Sequence, residues 1–155
     1  MRFSLVKGSL PDTLKEGSII DAISTNYDEM DQIEGVNKRG FICQTLQMIA
    51  NATFLKKDGD FWLAENDDGK CGGYLLARFV MDIDNSLCYW VSQAYVSKEH
   101  RGKKTLDGFK TVREHAKKNF AKHIVAVSGR HNTEAYCRLL GKGYHKYATL
   151  LKEDL

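Results

Sequence analysis

Residues 87–129 limit the chain to few folds. An apolar run, LCYWVSQAYV (87–96), leads into a basic loop, SKEHRGK (97–103). An amphipathic segment over 104–120 follows, with Leu106, Phe109, Val112, Ala116 and Phe120 at helical spacing. A second apolar run, HIVAVSG (123–129), comes directly after it. Its unbroken apolar character suits a strand covered on both faces, the usual position of a parallel neighbour. Strand, helix and strand in this order form a β-α-β crossover. That requires a sheet containing at least one parallel pair, with a helix lying on it.

The rest of the chain adds antiparallel strands. DFWLAEN (60–66), CGGYLLARFVMD (71–82) and the run over 87–96 are joined by the turns DDGK (67–70) and DNS (84–86). Short turns between strands predict an antiparallel meander, and Gly72-Gly73 marks a position for a bulge. RFSLV (2–6) reads as a first strand. Pro11, between Ser9 and Asp12, opens a helix running to Asn26 with Leu14, Ile19, Ile20 and Ile23 on its apolar face. Residues 27–40 are acidic and then glycine-bearing, and read as a loop or weak turn. A second helix over 41–51 carries Ile42, Leu46 and Ile49, with Cys43 and Ala50 on an adjacent stripe. Asn132 caps a helix over 132–143, and 144–155 reads as a closing strand. The expected class is therefore α/β (α+β mixed): a mixed, mostly antiparallel sheet flanked by helices, in the order β-α-α-β-β-β-α-β-α-β. The 155 residues suit a single domain over 1–155.

Composition excludes several classes. No apolar run approaches the ~18 residues of a membrane span, and MRFSLVKGSLPD is too short in apolar residues for a signal peptide. A cytoplasmic protein without membrane association is expected, so the sequon Asn51-Ala52-Thr53 carries no weight. Cys43, Cys71, Cys88 and Cys137 form no C-x-x-C pair, and no histidine spacing suits zinc. Buried free thiols and no metal are the expectation.

Charge is concentrated. Residues 98–122 hold nine Lys/Arg against three acids, a net of +6 in a chain whose formal net charge is +3, so the remainder carries −3. The basic loop precedes a helix N-terminus, where unpaired backbone N–H groups and the positive end of the helix dipole attract anions. Arg101, Lys103 and Lys104 add charge, and Arg101 offers a bidentate grip on phosphate. The loop is not a Walker A motif, because Ser97 stands where its first glycine is needed, and it does not match G-x-G-x-x-G. A solvated lysine-rich helix face is the competing account of the same residues.

AYVSKEHRGKKTLDGFKTVREHAKK (94–118) resembles the central motif of GNAT (Gcn5-related) N-acyltransferases, in which an apolar strand enters an Arg/Gln-x-x-Gly-x-Gly/Ala loop and then a helix. GRHNTEAYCRLLGKGYHKYATLLKEDL (129–155) resembles the next motif of that family, with Asn132, Tyr136 and LLGKGY at the matching positions. The resemblance implies the GNAT fold and an N-acetyltransferase that uses acetyl-CoA as cosubstrate and a primary amine as acceptor. It implies that Ala94, Tyr95 and Val96 pair with the pantetheine arm, with the Val96 amide polarising the thioester carbonyl. It implies that Arg101, Gly102, Lys103, Lys104, Thr105 and Leu106 hold the pyrophosphate. Asn132 would touch the pantetheine, and Tyr136 would protonate the leaving thiolate. A phenol, with its pKa of about 10, suits that step.

Two positions depart from the pattern: Lys104 replaces a glycine and Leu106 replaces a Gly/Ala. A non-glycine residue is allowed at 104 once the helix has begun, whereas the branched Leu106 obstructs close approach of a ligand unless it faces the core. Residues 87–96 contain no Asp or Glu. Glu65, Asp82, Asp84, Glu99 and His100 stand near strand ends but each reads as a surface residue, so no general base is assigned. A degenerate GNAT-like protein with a structural or interaction role, such as a phage-particle component, stays open as an alternative. A nucleic-acid-binding module is a weaker one, because the basic helix lacks interleaved aromatic residues. The acceptor and the oligomeric state, including a homodimer, stay open. The acidic stretch from Asp28 to Glu34 would attract a cationic amine but reads equally as an exposed loop.

Overall fold

The computed structural model describes residues 1–8, 18–30, 36–55, 59–67 and 69–126. The helix expected over 132–143 and the strand expected over 144–155 lie outside them. The elements are β1 (Arg2–Val6), α1 (Ser18–Glu29), α2 (Lys38–Ala50), β2 (Asp60–Glu65), β3 (Cys71–Met81), β4 (Leu87–Val96), α3 (Lys103–Lys118) and β5 (His123–Ala126). A π-helical turn, Asn51–Leu55, extends α2, and a 3-10 turn, Lys98–His100, precedes α3. The strands form one sheet in the order β1-β2-β3-β4-β5. Neighbours are antiparallel from β1 to β4, and β4 and β5 are parallel. The mixed sheet expected from the meander and the crossover is thus present.

Alternation along the strands divides the core in two. Val6, Phe61, Leu63, Tyr74, Leu76 and Tyr95 pack with Ile19, Ile23, Phe41 and Ile49 of α1 and α2. Phe3, Trp62, Ala64, Leu75, Ala77, Tyr89 and Val91 pack with Val112 and Ala116 of α3. Val112 is fully buried, and burial of a valine side chain contributes about 1.5–3 kcal/mol. No helix among the described residues is long and apolar enough to cross a membrane.

Several local expectations are corrected. Helix α1 continues through Asp28 to Glu29, where a loop is expected from the acidic composition. Acids at a helix C-terminus oppose the dipole. They persist because Lys38 Nζ donates to Asp28 at 2.7 and 2.9 Å and Arg101 pairs with Glu29. Helix α2 starts at Lys38 rather than at 41, capped by Asn37, whose Oδ1 accepts from the Gly40 amide at 2.8 Å. Its buried residues are Phe41, Thr45 and Ile49; Ile49 is as expected, whereas Phe41 and Thr45 lie one position before Ile42 and Leu46, which are partly buried. Ile20 is exposed. Helix α3 ends at Lys118, so Phe120 leaves the apolar stripe; it adopts φ 66° and is 86% exposed. Cys88 is buried as expected of a free thiol, but Cys43 is exposed.

A polar cluster unanticipated from the sequence sits under α3. Asp60 Oδ1 accepts from Lys7 Nζ at 2.7 Å, and its Oδ2 accepts from Tyr89 Oη at 2.8 Å and faces His115 Nε2 at 2.8 Å. Trp62 Nε1 donates to the same Tyr89 oxygen at 2.8 Å. Burial alone would raise the Asp60 carboxyl, but the hydrogen bonds from Lys7 and Tyr89 outweigh it and hold the group below its ordinary value.

Candidate acyl-transfer site

Two bulges shape the end of the sheet where β4 leaves it. Opposite β2, Gly72 is the extra residue of β3, as Gly72-Gly73 leads one to expect. Opposite β3, Leu76 pairs with Gln93 and Ala77 with Val91, so Ser92 is an extra residue of β4. This second bulge reverses the facing of the strand. Tyr89 and Val91 point to the α3 layer, whereas Gln93 and Tyr95, which would share that face in a regular strand, turn to the α1/α2 layer. The described pairing with β5 runs from Cys88↔His123 to Val91↔Ala126. Among the described residues, 92–96 therefore have a neighbour on the β3 side only. Close contact on that side is permitted by Gly73, since a Cβ there would stand 2.3 Å from the Tyr95 carbonyl oxygen.

Beyond the bulge, a polar chain crosses the α1/α2 face. Asn26 Nδ2 donates to Tyr74 Oη at 2.8 Å, Tyr74 Oη donates to Gln93 Oε1 at 3.1 Å, and Thr45 Oγ1 donates to the same oxygen at 3.2 Å. Burial pushes the Tyr74 phenol above its ordinary range. Gln93 has no ionisable group, so this strand position supplies no base.

The loop leaves β4 as the spacing predicts. Ala94, Tyr95 and Val96 end the strand, Arg101 follows the 3-10 turn, and Gly102 is the N-cap of α3. Gly102 has φ 122° and ψ −150°, a conformation that L side chains rarely adopt. With glycine there, no side chain caps the helix, and a Cβ built on it would meet nothing within 4 Å. An uncapped helix start beside a glycine is an arrangement that suits an external hydrogen-bond acceptor. Lys103, Lys104, Thr105 and Leu106 form the first turn of α3. Thr105 Oγ1 donates to the His100 carbonyl at 2.5 Å and braces the loop internally. The side chains of Lys103, Lys104 and Leu106, and the whole of Asn132 and Tyr136, lie outside the described part of the structure.

Arg101 has partners within the chain. Its Nε donates to the Val96 carbonyl at 2.8 Å, its Nη2 donates to Glu29, and its guanidinium carbon lies 5.9 Å from the centre of the Tyr95 ring. Glu29 falls in the stretch 27–40 that reads as a loop in the sequence, but it is the last residue of α1. The signal was available in the i, i+4, i+7 stripe Ala22, Asn26 and Glu29. Of the carboxylates near strand ends, Asp82 lies at the far end of β3 against His123 and Asp84 is in the following turn, whereas Glu99 is exposed in the loop after β4 and Glu65, opposite Cys71, pairs with Arg2 at 3.4 Å.

A cavity of about 320 Å³ lies between α1 and the adjoining ends of β3 and β4, lined by Ser18, Asp21, Thr25, Cys71, Tyr95 and Ser97 among others. Burial pushes the Cys71 thiol up, so it stays protonated and is a poor nucleophile. Burial, reinforced by Glu29, likewise raises the Tyr95 phenol. This end of the sheet thus offers a bulged strand end, a helix start without a side-chain cap and a small cavity of mixed polar and apolar lining, with no activated nucleophile among the described residues.

Solved structures share this architecture over whole chains. A GNAT family acetyltransferase from Staphylococcus aureus superposes with a TM-score of 0.64 at 16% identity, covering 100% of each chain. A ribosomal-protein-alanine N-acetyltransferase from Brucella melitensis gives 0.64 at 12% identity, covering 97% of this chain and 98% of the other. An aminoglycoside N-acetyltransferase solved in complex with CoA gives 0.64 at 12% identity, covering 99% and 96%. The fold is the GNAT acetyltransferase fold. Neither a protein-family model nor a curated protein matches the sequence, so the likeness to GNAT proteins rests on shape. Within this GNAT fold, the bulged end of β4, the loop and the helix start follow one another directly from Ser92 to Thr105.

Proposed function

We propose that the chain is a GNAT-type N-acetyltransferase that moves an acetyl group from acetyl-CoA to a primary amine by direct attack of the amine on the thioester. The observation that carries this reading is the β4 bulge at Ser92, which turns Gln93 and Tyr95 to the α1/α2 layer just before the strand runs through the Arg101 loop into the start of α3, where no side chain caps the helix. In this reading the edge formed by Ala94, Tyr95 and Val96 receives the pantetheine arm. Arg101, Gly102 and the first turn of α3, through Lys103, Lys104, Thr105 and Leu106, receive the pyrophosphate. Asn132 contacts the pantetheine, and Tyr136 returns a proton to the thiolate of CoA. The cavity beside Tyr95, whose lining carries both Asp21 and Lys70, gives room for the amine. Cys71, the thiol described at the cavity, is kept protonated by burial, which favours direct attack over an acyl-enzyme on it.

A second reading, a protein that keeps the fold and has lost the cosubstrate, is favoured by one observation: Arg101 is already engaged by Glu29 and the Val96 carbonyl. Incubation with acetyl-CoA and a panel of primary amines, following CoA thiol release against a blank for the protein's own cysteines, separates the two. Amine-dependent release supports the transferase. Release at the blank rate with every amine, together with no measurable acetyl-CoA binding, supports the second reading.

A further inference from the structure

At the end of β4 opposite the loop, three side chains from three strands converge. Asp82 follows the last residue of β3, Cys88 is the second residue of β4, and His123 opens β5. A carboxylate oxygen, the thiol sulfur and an imidazole nitrogen lie within 4.8 Å of one another. Linear spacing hides this set, because its members are brought together only by the β3–β4 and β4–β5 pairings, with Val80 opposite Cys88 and Cys88 opposite His123.

We propose that Asp82, Cys88 and His123 form a binding site for a zinc ion, completed by a water molecule. Thiolate, imidazole and carboxylate together are a donor set for zinc rather than for calcium or magnesium, which take oxygen ligands. Tetrahedral ligands at zinc distances of about 2.0–2.3 Å lie roughly 3.3–3.6 Å from one another. The donors therefore need shifts of about 1 Å, the main one being separation of Asp82 Oδ2 from His123 Nε2, now at 2.5 Å. The frame around them is fixed. The Asp82 amide donates to the Ser86 carbonyl at 2.8 Å, the Asn85 amide to the Asp82 carbonyl at 2.9 Å, and the Lys122 amide to the Leu87 carbonyl at 2.8 Å. Asp82 Oδ1 is oriented by the Ile83 amide at 2.7 Å.

Access is one-sided. The His123 side chain is 35% exposed and that of Asp82 9%, while Cys88 is buried. On binding, the Cys88 thiol loses its proton to solvent and the ion replaces the Asp82–His123 hydrogen bond. The ion would cross-link β3, β4 and β5 at the end where β4 and β5 are paired. Its site is the length of β4 away from Arg101, about 30 Å at 3.3 Å per residue. The role is therefore structural, pinning the closed end of the strand pair whose other end is the proposed cosubstrate groove.

The test uses the full chain without a histidine tag, stripped with chelator and titrated with cobalt(II). The site predicts a thiolate-to-cobalt charge-transfer band saturating at one equivalent and abolished by zinc. The band should persist in Cys43→Ser and Cys71→Ser and vanish in Cys88→Ser. Competition with a chromophoric chelator should show zinc affinity at least about tenfold weaker in His123→Gln, a change at a partly exposed position. No band in the wild-type chain, a band surviving in Cys88→Ser, or unchanged zinc affinity in His123→Gln would each overturn the proposal. If Cys88→Ser does not fold, the His123→Gln competition decides.

Discussion

Arg101 Nη2 donates to the carboxylate of Glu29, joining the loop after β4 to the last turn of α1. The same guanidinium holds the Val96 carbonyl through Nε at 2.8 Å. Under the proposed function, the pyrophosphate of acetyl-CoA competes with Glu29 for this group. A partly exposed ion pair is worth up to about 1 kcal/mol. Glu29→Gln should therefore tighten acetyl-CoA binding by about threefold to fivefold. Arg101→Ala, which removes a charged hydrogen-bond donor, should weaken it by about 10–100-fold. Calorimetric titration of both variants checks the pair. Weaker binding in Glu29→Gln would mean that the ion pair supports the site rather than competing with its ligand.

Gly102 stands at φ 122° with open space around it. Gly102→Ala should cost about 1–3 kcal/mol through backbone strain alone, read as a lower chemical-denaturation midpoint with an unchanged slope. A neutral result would show that the loop relaxes to another conformation without loss.

The Asp60 carboxyl is held below its ordinary value of 3.8 by Lys7 and Tyr89 against the opposing effect of burial. A depressed folded-state value stabilises the protein above 3.8 and loses that contribution as the pH falls through the lower, folded value. Asp60→Asn should be less stable by about 1.5–3 kcal/mol at neutral pH. The difference from wild type should shrink as the pH falls below 3.8. Urea denaturation across that range measures it, and a gap independent of pH would contradict the assigned cause.

Tyr136→Phe removes the proposed proton donor while keeping the ring. It should lower kcat by about 10²–10⁴-fold and leave acetyl-CoA affinity unchanged. Steady-state kinetics beside a binding titration distinguish this from a packing defect, which would lower both.

Much of the fold is legible in the sequence because its signals are local. Turn residues at 67–70 and 84–86 mark the meander, Gly72-Gly73 the first bulge, and Arg101-Gly102 the step from strand to helix. What escapes the sequence depends on partners far along the chain. The C-terminal turn of α1 looks unfavourable until Lys38 and Arg101 offset Asp28 and Glu29. Ser92 is an ordinary strand residue until the β3 register makes it a bulge. Asp60, Tyr89 and His115 meet only when α3 packs on the sheet. Phe120 keeps helical spacing with Ala116 but stands beyond the C-terminus of the helix, where φ has changed sign.

Thermal denaturation with and without acetyl-CoA tests the central claim most directly. A ligand bound only by the native state at a hundredfold excess over Kd stabilises it by about 2.7 kcal/mol, raising Tm by about 5–10 °C in a chain of this size. The account predicts a saturable rise of that order, reduced in Arg101→Ala. An unchanged Tm at millimolar acetyl-CoA would contradict it and leave a GNAT fold without its cosubstrate.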